Sequence, residues 1–158
     1  MSFFDYPSEP APQLGDADYF LPDATDEEWT TLLAHTRHRW FRAGDAVISE
    51  RARDRSLYLI LDGNVEVLVE RGRRGHRQVA SLSAGSVIGE LSFFDGDARS
   101  AMVRAVTAAE LAELSPADFE ALAAADPALA RRLLFELGRF LARRLRAAQQ
   151  AALMAEAR

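Results

Sequence analysis

Between Ile88 and Ala101 the chain reads IGELSFFDGDARSA, and Gly89, Arg99 and Ser100 are the residues in it best suited to holding a small phosphate, with Glu90 as the odd member. Gly89 lets the backbone come close to a ligand and take dihedrals closed to other residues, so the amides that follow can point at an anion. A short helical turn through Leu91, Ser92, Phe93 and Phe94 would add its N–H groups and partial positive charge at the same place. Arg99 offers a planar, permanently charged fork that matches two phosphate oxygens, with the Ser100 hydroxyl as a donor beside it. A carboxylate next to a bound phosphate is repelled, so Glu90 must do other work, such as accepting a hydrogen bond from a sugar hydroxyl or orienting the arginine. The bland alternative is a glycine turn followed by a strand whose Arg99 pairs with Glu90.

Such a cluster needs a rigid frame. From Trp40 to Leu114 the sequence is a series of short β-rich runs broken by glycine: 46–48, 57–61, 65–69, 79–82, 102–106 and 111–114. Strands at this spacing predict an antiparallel sandwich or barrel, with Arg71-Gly72-Arg73-Arg74-Gly75-His76 as a hairpin tip. Before it, residues 1–24 bear prolines and the aromatics Phe3, Phe4, Tyr6, Tyr19 and Phe20 without periodicity, which predicts an extended arm whose aromatics pack onto the domain. Thr25-Asp26-Glu27-Glu28 is a capping box opening a helix with Trp29, Leu32 and Leu33 on one face, and the same helix accounts for His35 and His38 better than a metal site does.

After Leu114 the period becomes helical. Ser115-Pro116-Ala117-Asp118 opens one helix and Asp126-Pro127 a second, long one running to about residue 154. Leu129, Leu133, Leu137, Phe140, Leu141, Leu145 and Ala148 form its apolar stripe, and the arginines at 131, 132, 139, 143, 144 and 146 are most simply its wet face. A helix of about 28 residues spans on the order of 40 Å, more than a domain of this size covers, so part of the stripe is expected to meet a second copy. The single folded domain is therefore read as 25–154, preceded by the arm.

These residues carry a resemblance. Gly89-Glu90-Leu91 followed by Arg99-Ser100-Ala101 resembles the phosphate-binding cassette of the cyclic nucleotide-binding domain family. The glycines of Ala43-Gly44-Asp45, Asp62-Gly63-Asn64 and Ala84-Gly85-Ser86 match that family's barrel turns, and the likeness runs from about Trp40 to Gln150. It implies a mainly β fold with flanking helices, an antiparallel β-roll (jelly-roll-like, a double-stranded β-helix) between an N-terminal helix and a long C-terminal one. It implies that Arg99 pairs with the cyclic phosphate, that Glu90 takes the ribose 2′-hydroxyl, and that Ser100 and backbone amides, with Leu91, Ser92 and Ala101 in the same segment, complete the cradle. Val65, Leu82, Ala101 and Val103 become apolar walls, with simple core residues as the alternative. Ala142-Arg143-Arg144-Leu145 matches the family's lid, so Arg144 and Leu145 would cover the base; where bacterial relatives place a threonine-serine pair on the adenine, this chain has Ala148 and Gln149. The ligand implied is cAMP, with cGMP as the other choice. The long helix would close the pocket and pair with its twin in a homodimer.

Composition narrows the rest. The chain has 158 residues, 49% of them hydrophobic and 27% charged, which suits one domain of ordinary globular make-up. No apolar run approaches the roughly 18 residues of a membrane span, and the acidic start lacks the basic region of a signal peptide. Without cysteine there are no thiolate metal sites or cysteine nucleophiles, and a cytoplasmic address is expected by default. A net charge of −5 disfavours direct nucleic-acid binding. No nucleophile–base pair stands out, so no catalytic residue, metal or cofactor is expected, and the protein is read as a sensor, not an enzyme. Only about eight residues follow Gln150, too few for a DNA-binding module, so occupancy is expected to reach an unknown downstream protein through an interface. The competing expectation is a nucleotide-free scaffold or dimerisation module of the same fold.

Overall fold

The computed structural model describes residues 19–158. Helix α1 (Asp26–Ala34) precedes strands β1 (Arg37–Phe41), β2 (Ala46–Ile48), β3 (Leu57–Asp62) and β4 (Asn64–Glu70). A 3-10 turn at Gly72–Arg74 leads into β5 (His76–Ser83) and β6 (Val87–Ile88), then helix α2 (Glu90–Asp95), β7 (Met102–Ala105) and β8 (Ala109–Leu114). Helices α3 (Pro116–Ala125) and α4 (Pro127–Glu156) follow. The strands form two 4-stranded sheets, ordered β1-β8-β3-β6 and β2-β7-β4-β5, with every pairing antiparallel.

Strand β3 explains how the sheets stack. Its run Leu57-Tyr58-Leu59-Ile60 is buried on both sides, so it reads as continuously apolar where a half-exposed strand would alternate. Leu57 and Leu59 join Ala112 and Leu114 under a helical layer contributed by Leu32, Leu122, Leu129, Leu133 and Leu137. Tyr58 and Ile60 face the other way, into a second cluster with Ile48, Val65, Ile88, Val103, Ala105 and Leu111 that fills the space between the sheets. Full burial of each such aliphatic side chain stabilises the fold by roughly 1.5–3 kcal/mol before entropy is counted.

The helices start where local chemistry dictates. Thr25 Oγ1 accepts from Glu28 N at 3.1 Å while the Glu28 carboxylate accepts from Thr25 N at 2.8 Å, and Ser115 and Asp118 repeat the arrangement at α3. The chain enters through Phe20 and Leu21, both buried, with the Phe20 N–H donating to Gly85 O at 2.8 Å. The expected packing of the arm's aromatics thus holds at Phe20, while Phe3, Phe4 and Tyr6 lie outside the described residues. Two expectations need correction. His38 is not helical: it sits on the edge strand β1, its Nδ1 2.9 Å from Glu110 Oε1, while His35 alone caps α1. On α4 the apolar residues divide between two faces, because Leu129, Leu133, Leu137 and Phe140 are buried within this chain whereas Leu145 is exposed.

Candidate functional site

Strand β6 ends at Ile88 and α2 begins at Glu90, so the chain must turn at Gly89, where φ is +80°. A Cβ there would lie 2.7 Å from Arg99 Nη1, 2.8 Å from the Ser56 carbonyl oxygen and 3.3 Å from Ile48 Cδ1. Glycine is required twice over, for the left-handed dihedral and for the close approach of two segments around a guanidinium. Arg99 as a whole is only 4% exposed. Arg99 Nη1 donates to Gly89 O at 3.0 Å and Nη2 to Ser56 O at 2.5 Å. The remaining edge of the fork meets Asp54, with Nη2 donating to Oδ2 at 2.5 Å and Nε to Oδ1 at 3.3 Å. Main-chain bonds fasten the same loop to the cassette: Arg51 N donates to Arg99 O at 2.9 Å and Arg99 N to Ala52 O at 2.7 Å.

Glu90 is paired elsewhere. Its buried carboxylate accepts from Arg144 Nη1 of helix α4. Arg144 Nη2 also donates to Val87 O at 2.9 Å, and the guanidinium stacks 4.3 Å from the centre of the Phe140 ring. One side chain therefore ties the long helix to the segment that carries Gly89. The ion pair proposed by the bland reading, Arg99 with Glu90, does not form; each partner has a separate counterion.

The other expected site residues divide. Leu91 is half-buried and Ser92 buried within α2; the Ser92 and Phe93 carbonyls accept from Arg55 Nε and Nη2 at 3.3 and 3.2 Å. Ser100 is exposed and Ala101 half-buried at the entry to β7. Val65 and Val103 are core residues between the sheets, and Leu82, opposite Val65 in the β4–β5 ladder, packs against the same cluster. Of the lid residues, Arg144 reaches the cassette, Ala148 is half-buried, and Leu145 and Gln149 lie exposed.

Sequence reasoning missed the loop between β2 and β3. Asp54, Arg55 and Ser56 supply the carboxylate, the guanidinium and the carbonyl that frame α2 and Arg99. Ser56 Oγ donates onward to Glu113 Oε1 at 2.9 Å, and Glu113 also accepts from Arg39 Nη1 at 2.8 Å. Beside this network the Tyr58 hydroxyl is held protonated to higher pH than usual, first by burial and then by the charges of Glu113 and Asp54. Among the described residues no group of His, Asp or Glu is placed to hold a metal ion, and no helix is long and apolar enough to cross a membrane.

Comparison with known proteins bears on this arrangement. The family model described as the cyclic nucleotide-binding domain matches residues 38–126. The cAMP-activated global transcriptional regulator CRP of Salmonella typhimurium is 33% identical over 118 residues, covering 74% of this chain and 56% of that protein. The chain thus spans about half the length of the curated relatives it matches. Among solved structures, a cyclic nucleotide-binding domain from Methylobacillus flagellatus superposes with a TM-score of 0.77 at 26% identity, over 89% of this chain and 83% of that one. The catabolite activator protein of Thermus thermophilus gives 0.74 at 29% identity, over 85% and 61%. The two-sheet roll with a long C-terminal helix is the fold these structures share.

Proposed function

The chain belongs to the cyclic nucleotide-binding domain family, and on that premise we propose that it binds a cyclic nucleotide monophosphate, cAMP before cGMP, and relays occupancy through α4. The observation that carries this reading is the pairing of the two cassette side chains: Arg99 holds a bidentate anion, and Glu90 is shared with the long helix through Arg144. A cyclic phosphate would take the Nε–Nη2 edge of Arg99, with Ser100 beside it. A ribose hydroxyl donating to Glu90 would donate to the carboxylate that also holds Arg144. Sugar binding and helix position are then coupled through one group, and the ligand shifts the helix only as far as it binds one arrangement better than the other. The preference for cAMP rests on the relatives described as cAMP-activated.

The output is proposed to pass through a dimer to a partner protein in the cytoplasm, with no direct contact to nucleic acid. Leu134, Gly138, Ala142 and Leu145 recur at three- and four-residue steps on the exposed side of α4, roughly opposite its buried stripe, with Phe135 beside them, and several of these residues line a shallow groove of about 410 Å³. That is the seam a second copy would cover. One observation favours the other reading, a nucleotide-free dimerisation module: the fork of Arg99 is already filled by Asp54.

Calorimetric titration with cAMP, cGMP and cyclic di-GMP separates the two. The intact chain is expected to bind a cyclic mononucleotide tighter than millimolar, with Arg99→Ala weakening it about thirtyfold or more, as expected for loss of one partner of a desolvated charge pair. Absence of binding by all three, or an unchanged affinity in Arg99→Ala, rejects the sensor.

A further inference from the structure

Asp54 meets Arg99 by the side-on, two-bond geometry through Nε and Nη2 that a phosphate would use. The other two donor contacts of Arg99, to the carbonyls of Gly89 and Ser56, build the guanidinium into the wall and leave that one edge to anions. The Asp54 side chain is 49% exposed while Arg99 is almost wholly buried, so the carboxylate lies on the solvent side of the pair. It sits where an incoming anion must arrive. Its loop is anchored at Arg51 and Ala52 by main-chain bonds to Arg99 and at Ser56 by the side-chain hydroxyl. Asp54 is therefore presented on a short fixed tether.

We infer that Asp54 is a specificity-determining residue, an internal anion that any ligand phosphate must displace from Arg99. The inference rests on the reading of Arg99 as the phosphate partner. Its physical content is a competition between an intramolecular and an intermolecular anion. A tethered carboxylate acts at an effective concentration of about millimolar or higher, so a simple phosphate, which has only the phosphate contacts around Arg99 and Ser100, competes poorly. A cyclic nucleotide has a second attachment at Glu90 and a third at its base, and those contacts offset the displacement. Asp54 thereby lowers the affinity of every phosphate ligand by the same factor, which takes a simple phosphate out of the binding range and leaves a phosphate carried on the right sugar within it. Once displaced, the carboxylate swings into water, which its half-exposed position allows without a buried, unpaired charge. Arg53 and Arg55 flank it in sequence, and the Arg55 guanidinium is already engaged by the carbonyls at the end of α2.

The test uses the full chain and its Asp54→Asn and Asp54→Ser variants, each checked for an intact thermal transition. Calorimetry measures cAMP and cGMP binding with and without millimolar inorganic phosphate as competitor. Both variants are expected to bind the preferred cyclic nucleotide about tenfold tighter than the unaltered chain, and phosphate is expected to weaken binding to the variants but not to the parent. Tight binding by the variants alone overturns the inference, because Asp54 would then occlude Arg99 against the nucleotide as well as against phosphate. Equal or weaker binding by both variants, with the parent still binding, overturns the inference and makes Asp54 a residue that merely orients Arg99; the nucleotide-binding reading then stands. Failure of all three proteins to bind any nucleotide overturns both.

Discussion

Replacing Gly89 by alanine tests the packing of the site independently of any ligand. The comparison is Gly44→Ala, since Gly44 also has a left-handed φ, +92°, but a Cβ there meets nothing within 4 Å. The Gly44 variant should therefore pay only the dihedral cost, about 1–2 kcal/mol. At Gly89 the same cost applies, and the new methyl collides with Arg99 Nη1 at 2.7 Å and the Ser56 carbonyl at 2.8 Å. Neither neighbour can retreat freely, because Arg99 is fixed by bonds to three residues and Ser56 O belongs to the backbone of β3's approach. Loss of the charged hydrogen bond from Arg99 to Gly89 O adds about 1.5–3 kcal/mol, for a total of about 3–5 kcal/mol. For a chain of this length about 3 °C per kcal/mol is expected, so Tm should fall by about 10–15 °C for Gly89→Ala and by about 3–6 °C for Gly44→Ala. Urea titration with unchanged m-values would confirm that both losses are of stability and not of cooperativity. Equal losses in the two variants would refute the claim that the cassette and the β2–β3 loop close on Gly89.

Arg144→Ala strands a buried Glu90 carboxylate and removes the bridge to α4; a loss of about 1–3 kcal/mol is expected for this partly exposed pair. Hydrogen exchange should rise by tenfold or more in α4 beyond Phe140 while α3 stays protected, and uniform protection across α4 would refute the idea that Arg144 ties α4 to Glu90. Phe135→Glu places a charge on a residue that is 69% exposed, so stability should change by less than about 0.5 kcal/mol. Sedimentation velocity should then show a dimer for the parent and a monomer for the variant; a parent that stays monomeric with and without nucleotide removes the seam from the argument.

The parts legible in the sequence are those whose physics is local. The capping boxes at Thr25 and Ser115 declare themselves because the donor and acceptor lie three residues apart, and both form as read. The strands with alternating or continuous apolar runs lie within a residue or two of the runs read from the sequence, apart from a wider margin at β5. Strand β1 was missed because RHRWF buries none of its residues and owes its extended form to pairing with β8 along the sheet edge. Strand β6 is two residues long, too short to show any period. Asp54 was illegible for a related reason: its partner lies far along the chain, and nothing in Arg-Asp-Arg-Ser marks one charge as structural.

Arg144 is the instructive case, because the sequence did carry its mark and the stripe was followed in the wrong phase. Leu129, Leu133, Leu137 and Phe140 advance by four, four and three residues, and the next position on that face at about 100° per residue is 144, not 145. Leu145 continues the hydrophobic composition but lies on the exposed face. An arginine thus occupies a place where the helix owes the core an apolar side chain. Such a substitution is tolerated only when the charge is paired and the stem is packed, and here Glu90, the Val87 carbonyl and the face of Phe140 meet those needs together. A charge on the buried phase of an amphipathic helix therefore points to a buried opposite charge elsewhere, and Glu90, beside Gly89, is the one buried carboxylate among the described residues. The helix and the cassette are joined through Arg144, and the residue joining them is the one that breaks the helix's own pattern.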